Sequence, residues 1–350
     1  MAYSVLIIGC GAIAGGYDAD RPTDAPRLSH AGAIEREARH GFENRLELVA
    51  CVDPDDTVRG AFAKRWSVPR SAASLEELRA KPGEFDLIII ASPTPFHAEH
   101  LEHALALKPR AVICEKPLAE NLHDAERIAA DYEKAGVPLG VNYLRRWTSA
   151  FQTLPDMRDE YGMFNDLISA VGYYGKGIVH NGSHMIDALQ MMLGPLSVHS
   201  VGPARIDHSE DDPSVSAILT TESGAPVHLI AGDARAFTQF EIILTFPDVE
   251  IAIRDGGRRW EQRKVVESDS YAGYRMLGEA EWDGEDAMEF AMQNLAADTA
   301  NFIDAGITLD EQRPRAMAAI HCTATEALAA QRLCEEIRLK ALENLKKAPQ

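Results

Sequence analysis

Val5-Leu6-Ile7-Ile8-Gly9-Cys10-Gly11-Ala12-Ile13-Ala14 decides the fold. Four apolar residues in a row read as a strand buried on both faces. The glycines that follow without a break match GxGxx(G/A), a pattern in which they permit a tight turn and let the backbone approach a pyrophosphate at a helix start. Taken alone the pattern is weak. Directly after an apolar strand at the amino end it marks a dinucleotide site, so Gly9, Gly11, Ala12 and Ile13 are expected to bind a cofactor.

Moving outward, apolar runs alternate with helical segments: Val5 to Ile8, Leu46 to Val52, Leu87 to Ala91, Ala111 to Cys114, then Leu139 to Tyr143. This alternation predicts an α/β fold with a parallel, doubly wound sheet. Thr94 before Pro95 reads as a cap with proline at the first helical position, and Asn121 with Asp124 as a capping box. After about Trp147 the strands shorten and are split by turns: Leu167 to Gly172, Val215 to Thr221, Ala225 to Ala231, Phe240 to Phe246 and Val249 to Arg254. That spacing predicts an α+β unit around an open, mostly antiparallel sheet. His184 to Leu193 forms a helix stopped by Gly194-Pro195. Apolar stripes at Met288, Met292, Leu295, Thr299 and Phe302, and at Met317, Ile320, Ala324 and Leu328, predict two later core helices. The charged tail after Leu339 is expected to fray. Domains are expected at 1–145 and 146–350, with late helices able to pack back on the first.

The chain has 350 residues, enough for two packed units, with 46% apolar and 25% charged content. A formal charge of −19 argues against nucleic acid and anionic membranes as partners. No apolar run is long enough to span a bilayer, and the start Met-Ala-Tyr-Ser lacks a basic signal region, so the expected location is cytoplasmic. Five cysteines without a CxxC are read as buried and reduced.

Open α/β sheets bind ligands at the carboxyl ends of their strands, and several polar residues stand there. Asp53 ends the second strand, where a carboxylate accepts from ribose hydroxyls and repels a 2′-phosphate; NAD is thus favoured over NADP. Its distance from the glycines exceeds the usual spacing, and residues 16–30 read as the insertion that accounts for it. Ser92-Pro93-Thr94-Pro95 follows the third strand, either as cofactor contact or as helix cap. Cys114-Glu115-Lys116-Pro117 ends the fourth and makes Lys116 a catalytic candidate, with Glu115 at the cofactor. Asn142, Tyr143 and Arg145 touch cofactor or substrate, with Arg146 and Trp147 lining the pocket, or else form a domain hinge. Arg21, Arg27 and His30 offer an anion site, unless their loop is only surface or an oligomer contact.

Downstream, His180-Asn181-Gly182-Ser183-His184-Met185-Ile186-Asp187 leads into a helix. A histidine suits proton relay, and Asp187 one turn on could orient His184. His180 and His184 at i and i+4 also allow a zinc reading, but no HExxH or cysteine cluster completes it, so no metal is expected.

The ordered set GxGxx(G/A), strand-end acid, Ser-Pro-Thr-Pro with His97, Glu115-Lys116-Pro117 and Gly-Ser-His-x-x-Asp before Leu-Gly resembles the Gfo/Idh/MocA oxidoreductases, over nearly the whole chain. The resemblance implies an NAD(P)-binding Rossmann domain in which His97 sits at the cofactor. It also implies a second domain whose open sheet makes homodimers or homotetramers. Lys116 and His184 would flank a sugar or polyol carbon, with Asn181 at the substrate. Many members carry an acid where this chain has His180, which becomes a further catalytic candidate. The function implied is hydride transfer between nicotinamide and a hydroxyl-bearing carbon of a sugar, inositol or derivative. A redox-assisted glycosidase and a non-catalytic dinucleotide or sugar sensor are the alternatives.

Overall fold

The computed structural model describes residues 2–39, 45–159, 162, 164–282, 286–306 and 320–347. They divide into two compact units. The first holds Met1–Thr148 and Glu289–Leu328, the second Ser149–Met288 and Ala329–Gln350.

The first unit begins with β1 (Tyr3–Ile8), α1 (His30–Arg39), β2 (Leu46–Val52), α2 (Asp56–Arg65), β3 (Arg70–Ala72), α3 (Leu75–Leu78), β4 (Leu87–Ile90), α4 (His97–Ala106), β5 (Ala111–Cys114), α5 (Leu122–Ala135) and β6 (Leu139–Val141). The six strands form one sheet in the order β3-β2-β1-β4-β5-β6, every pair parallel. This is the doubly wound arrangement, with its strand-order reversal between β1 and β4. β4 and β5 are buried at every position, because helices cover both faces of a parallel sheet. Asn121 caps α5 by accepting from the Asp124 amide at 2.9 Å, as the capping box predicts. Thr94 does not cap: Thr94–Phe96 is a 3₁₀ turn capped by Pro93, and α4 follows directly.

The second unit contains α6 (Ser149–Gln152), α7 (Leu154–Asp159), β7 (Ser169–Tyr174), α8 (Gly182–Leu193), β8 (Leu196–Arg205), β9 (Ser214–Thr221), β10 (Pro226–Ala231), β11 (Phe240–Thr245), β12 (Val249–Arg254), β13 (Arg259–Glu267), β14 (Arg275–Leu277) and β15 (Glu281–Trp282). Its sheet runs β14-β13-β12-β11-β7-β10-β9-β8, with β15 paired to β13. All pairs are antiparallel except β10 with β7. β8 and β13 were not expected from the sequence. Polar residues interrupt the alternation in both; Leu196, Val198 and Val201 of β8 and Trp260 of β13 still pack against the core, and the neighbouring strands' ladders hold the rest. Met185, Leu189, Met192 and Leu193 of α8 enter the core under this sheet, and the helix stops at Gly194, whose φ is +79°.

Two helices close the chain, α9 (Ala291–Ala305) and α10 (Ala324–Lys347). α9 lies in the first unit against α1, with Met292, Leu295 and Phe302 in the core. The second stripe differs from expectation. Met317 lies outside the described residues, and Ile320 is buried before the helix starts, where Thr323 bridges to Gly140. The tail does not fray at Leu339, since α10 continues to Lys347 with Ala341 fully buried.

Candidate active site

Parallel pairing brings five strand ends to one edge of the first unit. The Gly9 amide donates to Val52 O at 2.8 Å, Ala91 N to Ile8 O at 2.7 Å, Glu115 N to Ile90 O at 2.9 Å and Asn142 N to Cys114 O at 2.8 Å. Gly9, Asp53, Ser92, Glu115 and Asn142 therefore stand in register at the carboxyl edge.

The glycine fingerprint behaves differently from expectation in one respect. It does not open into a long helix. Gly15 and Gly16 amides close back on Gly11 O, Tyr17 N on Ala12 O, and a 3₁₀ turn follows at Gly16–Asp18. The amides of Gly11, Ala12, Ile13 and Ala14 have no acceptor among the described residues, and a Cβ on Gly11 would meet nothing within 4 Å. Gly9 is fixed as glycine: its φ is +90°, and a Cβ would lie 2.5 Å from Ser92 N. The helix proper, α1, starts at His30, and its entry is already filled by an internal anion. Asp18, fully buried, accepts from Leu28 N at 2.9 Å, Ser29 N at 2.8 Å and Ser29 Oγ at 2.5 Å. A pyrophosphate is thus left the four free amides of the 11–14 turn, not the start of α1.

Asp53 faces this turn, with Oδ2 accepting from Cys10 N at 2.8 Å and Oδ1 from Asp55 N at 2.9 Å. Beside it opens a cavity of about 380 Å³ lined by Gly9, Asp53, Ser74, Ser92, Pro93 and His100, among others. Ser92 Oγ lies 2.9 Å from His100 Nδ1, and burial lowers the His100 imidazole below its usual range. Free amides, open space over Gly11 and a strand-end carboxylate beside a cavity together fit a dinucleotide.

At the end of β5 the Lys116–Pro117 peptide is cis and Lys116 is half-buried. Glu115 Oε1 takes two donors, Asn142 Nδ2 at 2.7 Å and His30 Nε2 at 2.8 Å. Burial pushes the Glu115 carboxyl up, but the His30 hydrogen bond and charge, with Asn142 and Lys116, outweigh it and hold it below its usual range. His97 is 1% exposed, with Nδ1 2.8 Å from Pro117 O and Nε2 2.9 Å from Ser92 O. Both ring nitrogens are spent on backbone, so His97 ties the two loops together rather than reaching the cofactor.

The anion site proposed for residues 16–30 is not formed. Arg27 is buried against Pro22 O, Thr23 O and Glu35, Arg21 Nε donates to Pro26 O, and His30 is taken by Glu115. Arg146 and Trp147 are buried within the first unit: Arg146 pairs with Glu326 at 2.7 Å, and Trp147, fully buried, meets His321 edge-on. Tyr143 is also buried, and Arg145 half-buried.

In the second unit a π-helical turn, Gly177–Asn181, runs into α8. His180 and Asn181 end the turn, and His184 and Asp187 share the first turns of α8, His184 half-buried and Asp187 buried. Asp212 holds this segment by accepting from Val179 N at 2.8 Å and His180 N at 2.9 Å. Burial keeps the Asp212 carboxyl above its usual range. The His180 ring packs 4.7 Å from that of His208. Among the described residues no three His, Cys, Asp or Glu side chains are placed to hold a metal, and no helix is long and apolar enough to cross a membrane.

Sequence reasoning missed Asp18, the His30–Glu115 pair, His100 and Asp212. Each acts on a residue distant in sequence or through a loop without periodicity, so no local signal marks it.

Residues 3–143 match the model of an oxidoreductase family with an NAD-binding Rossmann fold. D-apiose dehydrogenase of Paraburkholderia graminis is 28% identical over 216 residues, 56% of this chain and 57% of that protein. The chain spans little more than half the length of such curated relatives. Two solved structures share the fold. An oxidoreductase from Agrobacterium radiobacter in complex with NAD+, L-tartaric acid and magnesium has a TM-score of 0.69 at 17% identity, over 98% of this chain and 97% of that one. A 3-ketoreductase from Actinomadura kijaniata in complex with NADP has a TM-score of 0.70 at 18% identity, over 97% and 98%. Over residues 3–143 and in the motifs at its strand ends, the chain is similar to the Gfo/Idh/MocA oxidoreductases.

Proposed function

We propose that this protein is an NAD-dependent oxidoreductase that moves a hydride between nicotinamide C4 and a hydroxyl-bearing carbon of a sugar, inositol or sugar derivative. The observation that carries this reading is the assembly of the free amides at residues 11–14, Asp53 and Glu115-Lys116 along one sheet edge. The preference for NAD rests on the cavity beside Asp53, whose lining carries the carboxylates of Asp53, Glu76 and Glu99 and neither lysine nor arginine. The nearby guanidinium of Arg59 is spent on Asp53 O at 2.6 Å and on the Asp56 carboxylate. A 2′-phosphate would meet repulsion there.

Bound NAD supplies the hydride acceptor. The rest is proton work by this chain's own side chains. A carbon that gives up hydride must lose its hydroxyl proton, so a base has to reach that oxygen; His184 takes this part, with Asp187 orienting it and His180 and Asn181 beside it. Lys116 donates to the same oxygen and stabilises the charge that develops on it, worth roughly two to three powers of ten in rate. Kinship with a D-apiose dehydrogenase supports a sugar as substrate.

The test is a screen of inositols, aldoses, keto sugars and nucleotide sugars for NAD reduction or NADH oxidation, followed by Lys116→Ala and His184→Ala. Both variants should bind NADH nearly as the wild type does and lose turnover by orders of magnitude. Unchanged turnover in both sinks the assignment.

A further inference from the structure

His30 touches two parts of the cofactor edge at once. Its backbone amide donates to Ile13 O, in the fingerprint turn, at 3.1 Å. Its ring Nε2 lies 2.8 Å from Glu115 Oε1, 85 residues away. The residue is 1% exposed, and the Glu115 side chain 13%. A carboxylate only accepts, so Nε2 carries the proton of this bond and Asn142 Nδ2 supplies a second donor to the same oxygen. Oε1 is thus fully engaged. Oε2 takes no hydrogen bond from any described residue, and the ring's other nitrogen, Nδ1, is buried without a partner among them. A carboxylate with one oxygen pinned by two donors and the other left over is preorganised to accept from a ligand hydroxyl.

We propose that His30 is a positioning residue of the dinucleotide site, holding Glu115 so that its free oxygen accepts a hydroxyl of the bound dinucleotide. His30 joins that contact to the fingerprint turn, because α1 can begin beside Ile13 only where Asp18 caps its entry and sets the ring against Glu115. The anion-binding role read into this segment from its sequence is thereby replaced by a role toward an anion of the protein itself. This inference rests on the dinucleotide reading above.

The experiment is NADH titration by fluorescence, which needs no substrate and no turnover, on His30→Gln, His30→Leu, Glu115→Gln and the His30→Leu/Glu115→Gln double variant. His30→Gln keeps a donor at this position and should bind NADH within about twofold of wild type. His30→Leu and Glu115→Gln should each weaken binding about tenfold, and the double variant no more than either single, since both break one contact. A merely structural histidine would not be rescued by glutamine while failing with leucine at an unchanged urea midpoint. Equal affinity for His30→Gln and His30→Leu, or additive losses in the double variant, overturns the proposal. Should His30→Leu not fold, Glu115→Gln decides: unchanged NADH affinity overturns it. A wild-type chain that binds no NADH would instead overturn the function, and this role with it.

Discussion

The amide of Cys10 donates to Asp53 Oδ2 at 2.8 Å, so the fingerprint turn after β1 and the acid ending β2 form a single unit. Asp55 N holds the other oxygen at 2.9 Å. Each carboxylate oxygen has a second lone pair, so the same group that shapes the turn can still accept ribose hydroxyls.

Replacing Asp53 by Asn leaves one acceptor oxygen for two backbone amides and removes the charge. NADH affinity should fall about tenfold or more, and the ratio of NADPH to NADH affinity should rise. Parallel fluorescence titrations with both nucleotides measure the two effects. A lower NADH affinity with an unchanged ratio would mean that Asp53 shapes the turn but does not choose the cofactor.

His97 joins the loop after β4 to the cis peptide after β5 through Ser92 O and Pro117 O. Both carbonyls lie at the edge where Lys116 stands. His97→Ala should destabilise the fold by about 2–4 kcal/mol, the sum of a lost buried side chain and unsatisfied carbonyls. Urea unfolding gives this number, and turnover should fall as Lys116 loses its anchor. A stability loss without any change in turnover would confine His97 to the fold.

Much of the first unit was legible because parallel strands buried on both faces are apolar throughout: Ala111–Cys114 is bounded in the structure as its residues predict. Asn121 and Gly194 carry local chemistry that fixes a helix start and a helix stop. β8 was not legible, since Ser197, His199, Ser200 and Arg205 lie on a half-exposed edge strand with two irregularities in its register. β13 reads Arg-Trp-Glu-Gln-Arg-Lys, charged on most positions, and forms through its pairing with β12. At the site, residue types near strand ends could be read, but their partners could not. Glu115 was visible beside Lys116, whereas His30 reaches it only after an insertion folds around Asp18.

Glu115 makes a prediction about pH. Its folded carboxyl titrates below its unfolded value, so it contributes stability above the unfolded value, about 4.3, and that contribution is lost as pH falls through the folded one. The stability advantage of wild type over Glu115→Gln should therefore be largest near neutrality and shrink on acidification below about pH 4.3. Urea midpoints of both proteins at about pH 6.5, about 4 and about 3 measure it. An advantage that grows toward acid would show that burial, not His30 and Asn142, governs this carboxyl.

Gly32 and Asp18 form the last test, because a Cβ on Gly32 would lie 2.2 Å from Asp18 Oδ2 and 2.8 Å from its Cγ. An alanine here is compatible with a helix interior, and by propensity alone Gly32→Ala should stabilise α1 by about 1 kcal/mol. In this fold it must displace the buried carboxylate that accepts from Leu28 N, Ser29 N and Ser29 Oγ, and each charged hydrogen bond lost costs about 1.5–3 kcal/mol. Gly32→Ala should thus destabilise by about 2 kcal/mol or more, and so should Asp18→Ala. In the Asp18→Ala/Gly32→Ala double variant the overlap with the carboxylate is gone, and what remains is a tight 3.0 Å approach between the Cβ atoms of positions 18 and 32, which a shift of a few tenths of an ångström relieves. The loss there should be smaller than the sum by at least about 1 kcal/mol. Because α1 carries His30 to Glu115, both single variants should also weaken NADH binding, and the double variant should not restore it: room is recovered, but the cap that starts the helix at His30 is not.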